Sequence, residues 1–158
     1  MGMKPMFNPR NLVQSKVNAT RQRFEKALVS VLSYLGEELV NYARANRTYT
    51  DRTSNLTNSM GYVILNKGME VSHGGEQEGS ANGDDGKRAA LSLYNKLAKN
   101  SKYDYTLIIV AGMNYAAYVE AKGYNVLLPA QLKANLEFKN RMRDLIKRAD
   151  DKLKKMLK

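Results

Sequence analysis

Leu107–Ala111, the run LIIVA, is the longest purely apolar stretch of the chain. It is short, rich in β-branched residues and closed by Gly112. That combination predicts a strand buried on both faces rather than a helix. Burying each large side chain contributes roughly 1.5–3 kcal/mol, so the run is an expected centre for the core. The residues after it, Tyr115, Ala116, Tyr118, Val119, Glu120 and Gly123, form a compact aromatic patch. On chemistry alone the patch reads as a strand edge or turn that caps the core.

The flanks of this centre read as helices. Val13, Val17, Phe24, Leu28, Val31, Leu35, Leu39 and Tyr42 recur every three or four residues, with one gap at Thr20–Arg21. They predict an amphipathic helix from Leu12 to Ala45, about 50 Å long, with Asn11 and Gln14 spaced as a capping box. Gly36 inside it marks either a kink or the close approach of another element. The residues before it, 1–11, carry Pro5 and Pro9 and predict an extended N-terminal arm that a partner would hold in place. At the other end, Pro129 is suited to open a last helix that runs to Met156. Leu132, Leu136, Phe138, Met142, Leu145, Ile146, Ala149, Leu153 and Met156 give its apolar stripe, and its basic residues are expected on the opposite face.

Between the flanks, Met60–Leu65 reads as a strand, Asn66-Lys67-Gly68 as a hairpin turn, and Met69–Ser72 as the return strand. Residues 73–86, HGGEQEGSANGDDG, read as a surface loop, followed by a short helix over Lys87–Lys99. The order predicts one α+β domain over residues 12–158. Its small, mostly antiparallel sheet is packed by the long N- and C-terminal helices on one side, with residues 73–100 as an inserted loop and helix. The first helix is longer than a domain of 158 residues needs for its own core, so surplus surface is expected to lie on a neighbouring subunit.

Charge narrows the partners. The formal net charge is +11, a balance that attracts polyanions. It is unevenly spread. Glu70, Glu76, Glu78, Asp84 and Asp85 fall in a stretch with no Lys or Arg between Gly68 and Gly86. The last helix instead holds Lys133, Lys139, Arg141, Arg143, Lys147, Arg148, Lys152, Lys154 and Lys155, with Lys158 beyond it. Acidic and basic regions held apart allow copies to pair head to tail; two solvated faces are the simpler reading. A basic last helix with tyrosines nearby also fits a nucleic-acid-binding module, although no reader motif is present. Anionic membrane is a weaker match, because the apolar stripe is needed for the core. No stretch is apolar for long enough to span a bilayer, and MGMKPMFNPR has no signal-type segment. Met6 stands where a myristoylation signal wants Ser or Thr.

No catalytic set is legible. There is no cysteine, which removes disulfides, thiolate nucleophiles and thiolate metal sites. The single histidine, His73, lies beside two glycines and reads as solvated. No His, Asp or Glu cluster has metal-ligand spacing, and the glycine-rich loop lacks the glycine spacing and the Lys-Ser/Thr pair of a phosphate loop. Glu120 beside the apolar centre reads either as an acid with a raised pKa or as a carboxylate bonded to a backbone turn or across an interface. The expectation is a protein that is not an enzyme and needs no cofactor.

Two segments add a resemblance. Thr53-Ser54-Asn55-Leu56-Thr57-Asn58-Ser59-Met60 resembles D-T-G-x-L-x-x-S-I, the segment after the first helix in a family of tailed-phage neck and tail-completion proteins. These are the head–tail joining or minor tail component proteins of long-tailed, lambdoid-like phages. Asn114–Gly123, NYAAYVEAKG, is similar to that family's Y-A-x-Y-V-E-x-G segment, which precedes its final helix. Order and rough spacing also match. The departures are Ser54 in place of glycine, Gly123 one residue late, the reduced piece Leu127-Leu128-Pro129-Ala130, and the 73–100 insertion.

The resemblance implies a structural virion protein, assembled in the host cytoplasm, that forms a homo-oligomeric ring in the neck around the DNA channel. Its neighbours would be portal, adaptor or head-closure proteins on one side and tail-tube or terminator proteins on the other, with packaged DNA in the lumen. By resemblance, Thr53, Leu56, Ser59, Tyr115, Tyr118, Glu120 and Gly123 are fold and interface positions. Arg141, Arg143, Lys147, Arg148, Lys154 and Lys155 would form a basic face turned to the channel or to an acidic neighbour.

Overall fold

The structure, a computed structural model, describes residues 9–75, 84–98 and 103–156. In chain order the elements are α1 (Pro9–Ala45), α2 (Asn55–Asn58), β1 (Met60–Asn66), β2 (Met69–Gly74), α3 (Asp84–Ala98), β3 (Tyr105–Ala111), α4 (Ala116–Ala121) and α5 (Leu128–Met156). The fold is α+β, with a three-stranded antiparallel sheet in the order β2-β1-β3. Residues 1–8 of the expected arm and 76–83 of the expected loop lie outside the described residues, as do Lys99 and Lys158; His73 and Gly74, expected in the loop over 73–86, belong to β2 instead.

The centre of the sheet is β1, not the LIIVA run. Every residue of β1 except Asn66 is buried. In β3 only Val110 is buried and the others are half-buried, because β3 is an edge strand. An all-apolar run reports covered faces, and helices do cover both faces of this sheet; it does not report whether a strand has one neighbour or two. The turn between β1 and β2 places Lys67 at φ 50° and Gly68 at φ 80°. Two positive φ values in a two-residue loop are those of a type I′ turn, whose twist suits a hairpin.

Helices cover both sides of the sheet, not the one side expected. On one face Met60, Tyr62 and Ile64 of β1 pack with Leu32, Leu35, Leu39 and Val40 of α1 and Ala130 of α5. On the other, Val63, Leu65 and Val110 pack with Ala90 and Tyr94 of α3. The insertion thus carries the second layer of the core. The expected helix there begins three residues early, at Asp84.

Two boundaries and one assignment change. Helix α1 opens at Pro9 and absorbs the end of the expected arm; proline's fixed φ suits a first helical position. Asn11 therefore sits inside the helix rather than capping it, and Gln14 donates to Asn18 Oδ1 at 3.1 Å. Helix α5 opens at Leu128, with Pro129 in its first turn. The patch 115–123, expected as a strand edge or turn, contains α4.

At Gly36 the second of the two readings holds. A Cβ there would lie 2.6 Å from carbons of the Tyr62 ring. The helix gives up the propensity of alanine so that β1 can approach closely.

Candidate functional site

The two segments that carry the resemblance meet in one corner of the molecule, at the C-terminal end of α1. Ser54 adopts φ 57°, in the left-handed region, and so turns the chain into α2. The helix is capped from upstream: Thr57 N–H donates to Asp51 Oδ2 at 2.7 Å. Leu56 is buried, Thr53 is exposed, and Ser59 Oγ donates to the Leu56 carbonyl at 2.8 Å. The two residues that lead into the second segment are tied to the same serine. Gly112 N–H donates to the Ser59 carbonyl at 3.0 Å, and Met113 N–H donates to Ser59 Oγ at 3.4 Å. Tyr115 then stands near Asp51, and burial together with that carboxylate raises its phenol above the ordinary value.

Glu120 resolves to the turn-bonding role. Its Oε1 accepts from Leu127 N–H at 2.9 Å and from Leu128 N–H at 2.6 Å. Those donors belong to the start of α5, where N–H groups have no helical acceptor and a negative charge is favoured. The turn it closes is fixed to the end of α1, since Asn125 N–H donates to Thr48 Oγ1 at 2.9 Å. Gly123 in this turn has φ 88°, a conformation that a side chain resists. Tyr118 is 64 % exposed, with Lys122 Nζ 5.3 Å from its ring centre. The corner is thus a rigid frame whose outer surface is Tyr118, Tyr124 and Leu128.

Beside this frame sits a residue that sequence reading missed. Arg44, near the end of α1, is buried, and its guanidinium donates to the carbonyls of Thr57, Met60 and Gly75. Burial pulls its pKa below the ordinary arginine value, against the opposing pull of Glu37. One cation thereby joins α1, α2, β1 and the residue after β2. Glu37 Oε1 completes the clasp by accepting from Gly75 N–H at 3.1 Å. Arginine at the end of a helix normally reads as a solvated charge, and no local pattern marks the three carbonyls it serves.

The expected basic face divides. Arg141 lies in the seam between α1 and α5, bonded to Glu38 and, at 2.8 Å, to Glu137 Oε2. Lys133 joins the seam, with Nζ 2.7 Å from Glu38 Oε1 and 4.5 Å from the Tyr42 ring centre. Arg141 stands 5.0 Å from the Tyr34 ring centre. The hydrogen bond from Arg141 holds the Glu137 carboxyl below its ordinary value, and the bond to Glu38 raises Lys133. Arg143, Lys147, Arg148, Lys154 and Lys155 are exposed and form no ion pair with the described residues.

The expected stripe of α5 is corrected too. Leu132, Leu136, Phe138, Ile146 and Leu153 are exposed, while Ala130 and Leu145 are buried and Ala134 and Met142 pack on the core. Small side chains let α5 approach α1 closely, and the larger leucines point outward. The outward face of α5 therefore mixes apolar and basic groups. In α1, Leu12, Val13, Val17 and Phe24 are exposed as well.

His73 is exposed as expected, but Nδ1 lies 2.7 Å from Glu70 Oε1. A groove of about 390 Å³ between α3 and the end of β3 has Lys96 as its one ionisable lining residue. Among the described residues no group of His, Asp or Glu is placed to hold a metal ion, and no helix is long and apolar enough to cross a membrane. Comparison with family models, with curated proteins and with solved structures returned no match to this chain.

Proposed function

We propose that this chain is a structural subunit of the tailed-phage neck. It assembles with copies of itself into a ring around the DNA channel, between the portal or adaptor proteins and the tail. The reading rests first on the resemblance of the 53–60 and 114–123 segments to the tail-completion family. The observation that carries it further is the corner where those segments meet. Ser59 binds Gly112 and Met113 across the sequence, and Ser54 and Gly123 both take left-handed backbone. Ser54 stands where the family pattern has glycine, and Gly123 lies one residue past the second such place. In this reading the residues form a non-enzymatic frame, with Glu120 as the cap that sets the angle of α5.

Unsatisfied surface supports assembly. The first turns of α1 expose Leu12, Val13 and Val17, and α5 exposes Leu132 and Leu136. A subunit with two such helices gains by burying them against neighbours. Sedimentation or native mass measurement of the full chain, alone and with portal and tail proteins, tests this. The expected result is a closed oligomer of one copy number. A chain that stays monomeric with every virion component overturns the reading.

A second reading, a nucleic-acid-binding module, is favoured by Arg143, Lys147, Arg148, Lys154 and Lys155, which are exposed and form no ion pair among the described residues. Phosphate contacts predict affinity that falls steeply with salt. Flat or absent binding at low salt removes this reading.

A further inference from the structure

The geometry points to the copy-to-copy contact itself: the outward face of α5 on one subunit seats against the β2 edge of the next. This rests on the ring reading above and specifies its interface. Three observations converge on it.

The first is composition. The outward face of α5 carries Leu132, Leu136 and Ile146 at 58, 74 and 55 % exposure, interleaved with Lys139, Arg143 and Lys147. Their steps of three and four residues place them on one side of the helix, away from Ala130, Ala134 and Leu145. Strand β2 offers exposed apolar and acidic groups in turn: Met69 and Val71 are 70 and 46 % exposed, and Glu70, exposed beside His73, is the strand's carboxylate. No lysine or arginine occurs between Gly68 and Gly86.

The second is the open edge. Among the described residues β2 pairs only with β1, and Val71 sits at the register shift that lets Leu65 face Glu70 while Ile64 faces Ser72. A bulged edge with an acidic side chain resists pairing with another strand and leaves its side chains to meet a helix.

The third is placement. Along α1, Ser33, Glu37 and Arg44 contact Ser72 and Gly75 at the β2 flank. Tyr34, Glu38 and Tyr42 contact Arg141 and Lys133 of α5 at the other flank. The two surfaces therefore lie on opposite sides of one subunit. Complementary patches on opposite sides give a heterologous contact, which repeats from copy to copy and closes as a ring where the rotation between copies divides a full turn.

Since the chain has no cysteine, disulfide trapping reads this contact without background. Both probe positions, Val71→Cys and Leu132→Cys, are exposed, so folding is preserved; circular dichroism checks this. The doubly substituted chain, oxidised as the assembled oligomer, is expected to give a ladder of covalent multimers in denaturing gels, and each single variant only monomer. Dimers from Leu132→Cys alone would reveal a two-fold α5–α5 contact and overturn the proposal. A wild type that forms the ring while the double variant gives no ladder sinks this interface and leaves the ring standing. A wild type that never assembles removes the ring itself. Charge reversal gives an independent arm. Glu70→Lys, and separately Arg143→Glu with Lys147→Glu, are each expected to raise the concentration needed for assembly roughly tenfold. Combining them is expected to restore it. If the reversals leave assembly unchanged but the α5 pair abolishes binding to duplex DNA, the α5 face belongs to nucleic acid instead.

Discussion

The two halves of α1 have the same apolar rhythm and opposite fates. From Leu28 to Ala43 the stripe enters the core, with Leu32, Leu35, Leu39, Val40 and Ala43 buried and Leu28 and Val29 packed against them. From Leu12 to Phe24 the stripe continues, yet Leu12, Val13, Val17 and Phe24 are all exposed. The sheet makes the difference. It ends near Tyr105, whose surroundings include Glu25 and Arg21 of α1, so the turns before Arg21 extend past it. Periodicity states which face is apolar; it does not state how much of that face its own chain will cover.

The comparison breaks most sharply at Leu35, which has no solvent exposure. Leu35→Ala removes buried methyl groups and leaves a cavity between α1 and β1. The expected loss is about 3–4 kcal/mol of unfolding free energy, read from urea or guanidinium melts. A loss below about 1 kcal/mol would mean that the C-terminal half is not the packed half. Arg44→Met comes next. It strips donors from the carbonyls of Thr57, Met60 and Gly75 while roughly keeping volume. The expected loss is about 2–3 kcal/mol, with amide exchange near Gly75 rising first.

Gly36→Ala tests the same half from the backbone side. On an exposed helix this change gains about 1 kcal/mol. Here the new Cβ meets the Tyr62 ring at 2.6 Å, so α1 and β1 must separate. The expected net result is a loss of about 1–2 kcal/mol. A gain would place Tyr62 elsewhere.

These positions also mark what was legible. Helices, hairpin and fold class follow from periodicity and from the Asn66-Lys67-Gly68 turn, because each is a local pattern. That β1 rather than the LIIVA run is central depends on strand order, which no local pattern encodes. The same holds for the leucines of α5. Size assigns its stripe to the leucines, but Ala130 and Ala134 face inward because close packing against α1 favours small side chains. Of the candidate site, turn bonding by Glu120 was legible as one of several roles, and only its bonds to Leu127 and Leu128 single it out. The Arg44 clasp was not, since its acceptors lie far along the chain.

A smaller effect is expected at the α1–α5 seam. Glu137 is held below its ordinary carboxyl value of 4.5 by the hydrogen bond from Arg141 and by Lys133. A depressed folded pKa contributes stability above the unfolded value, and that stability is lost as pH falls through the folded one. Glu137→Gln should therefore lower the unfolding free energy slightly at pH 7, by less than about 1 kcal/mol for a partly exposed pair screened by solvent. The difference from wild type should shrink once pH drops below 4.5. A difference that persists at low pH would assign the effect to shape rather than charge.

The smallest effect on the single chain, and the one that most sharpens the comparison, is expected at Val17. It is 54 % exposed in the uncovered half of α1. Valine and serine have similar helix propensities, so Val17→Ser leaves the helix itself unchanged. With no core contact to lose, the unfolding free energy in dilute solution should stay within about 0.5 kcal/mol of wild type. In the ring reading the same methyl groups are covered by a neighbour, and their loss should shift the sedimentation profile towards smaller species at equal concentration. The two measurements separate the causes. A change in assembly without a change in single-chain stability means that the N-terminal half of α1 finds its cover only in another molecule. If Val17→Ser instead costs nearly as much stability as Leu35→Ala, the two halves of α1 are equally packed within one chain, and the surplus surface on which assembly depends does not exist.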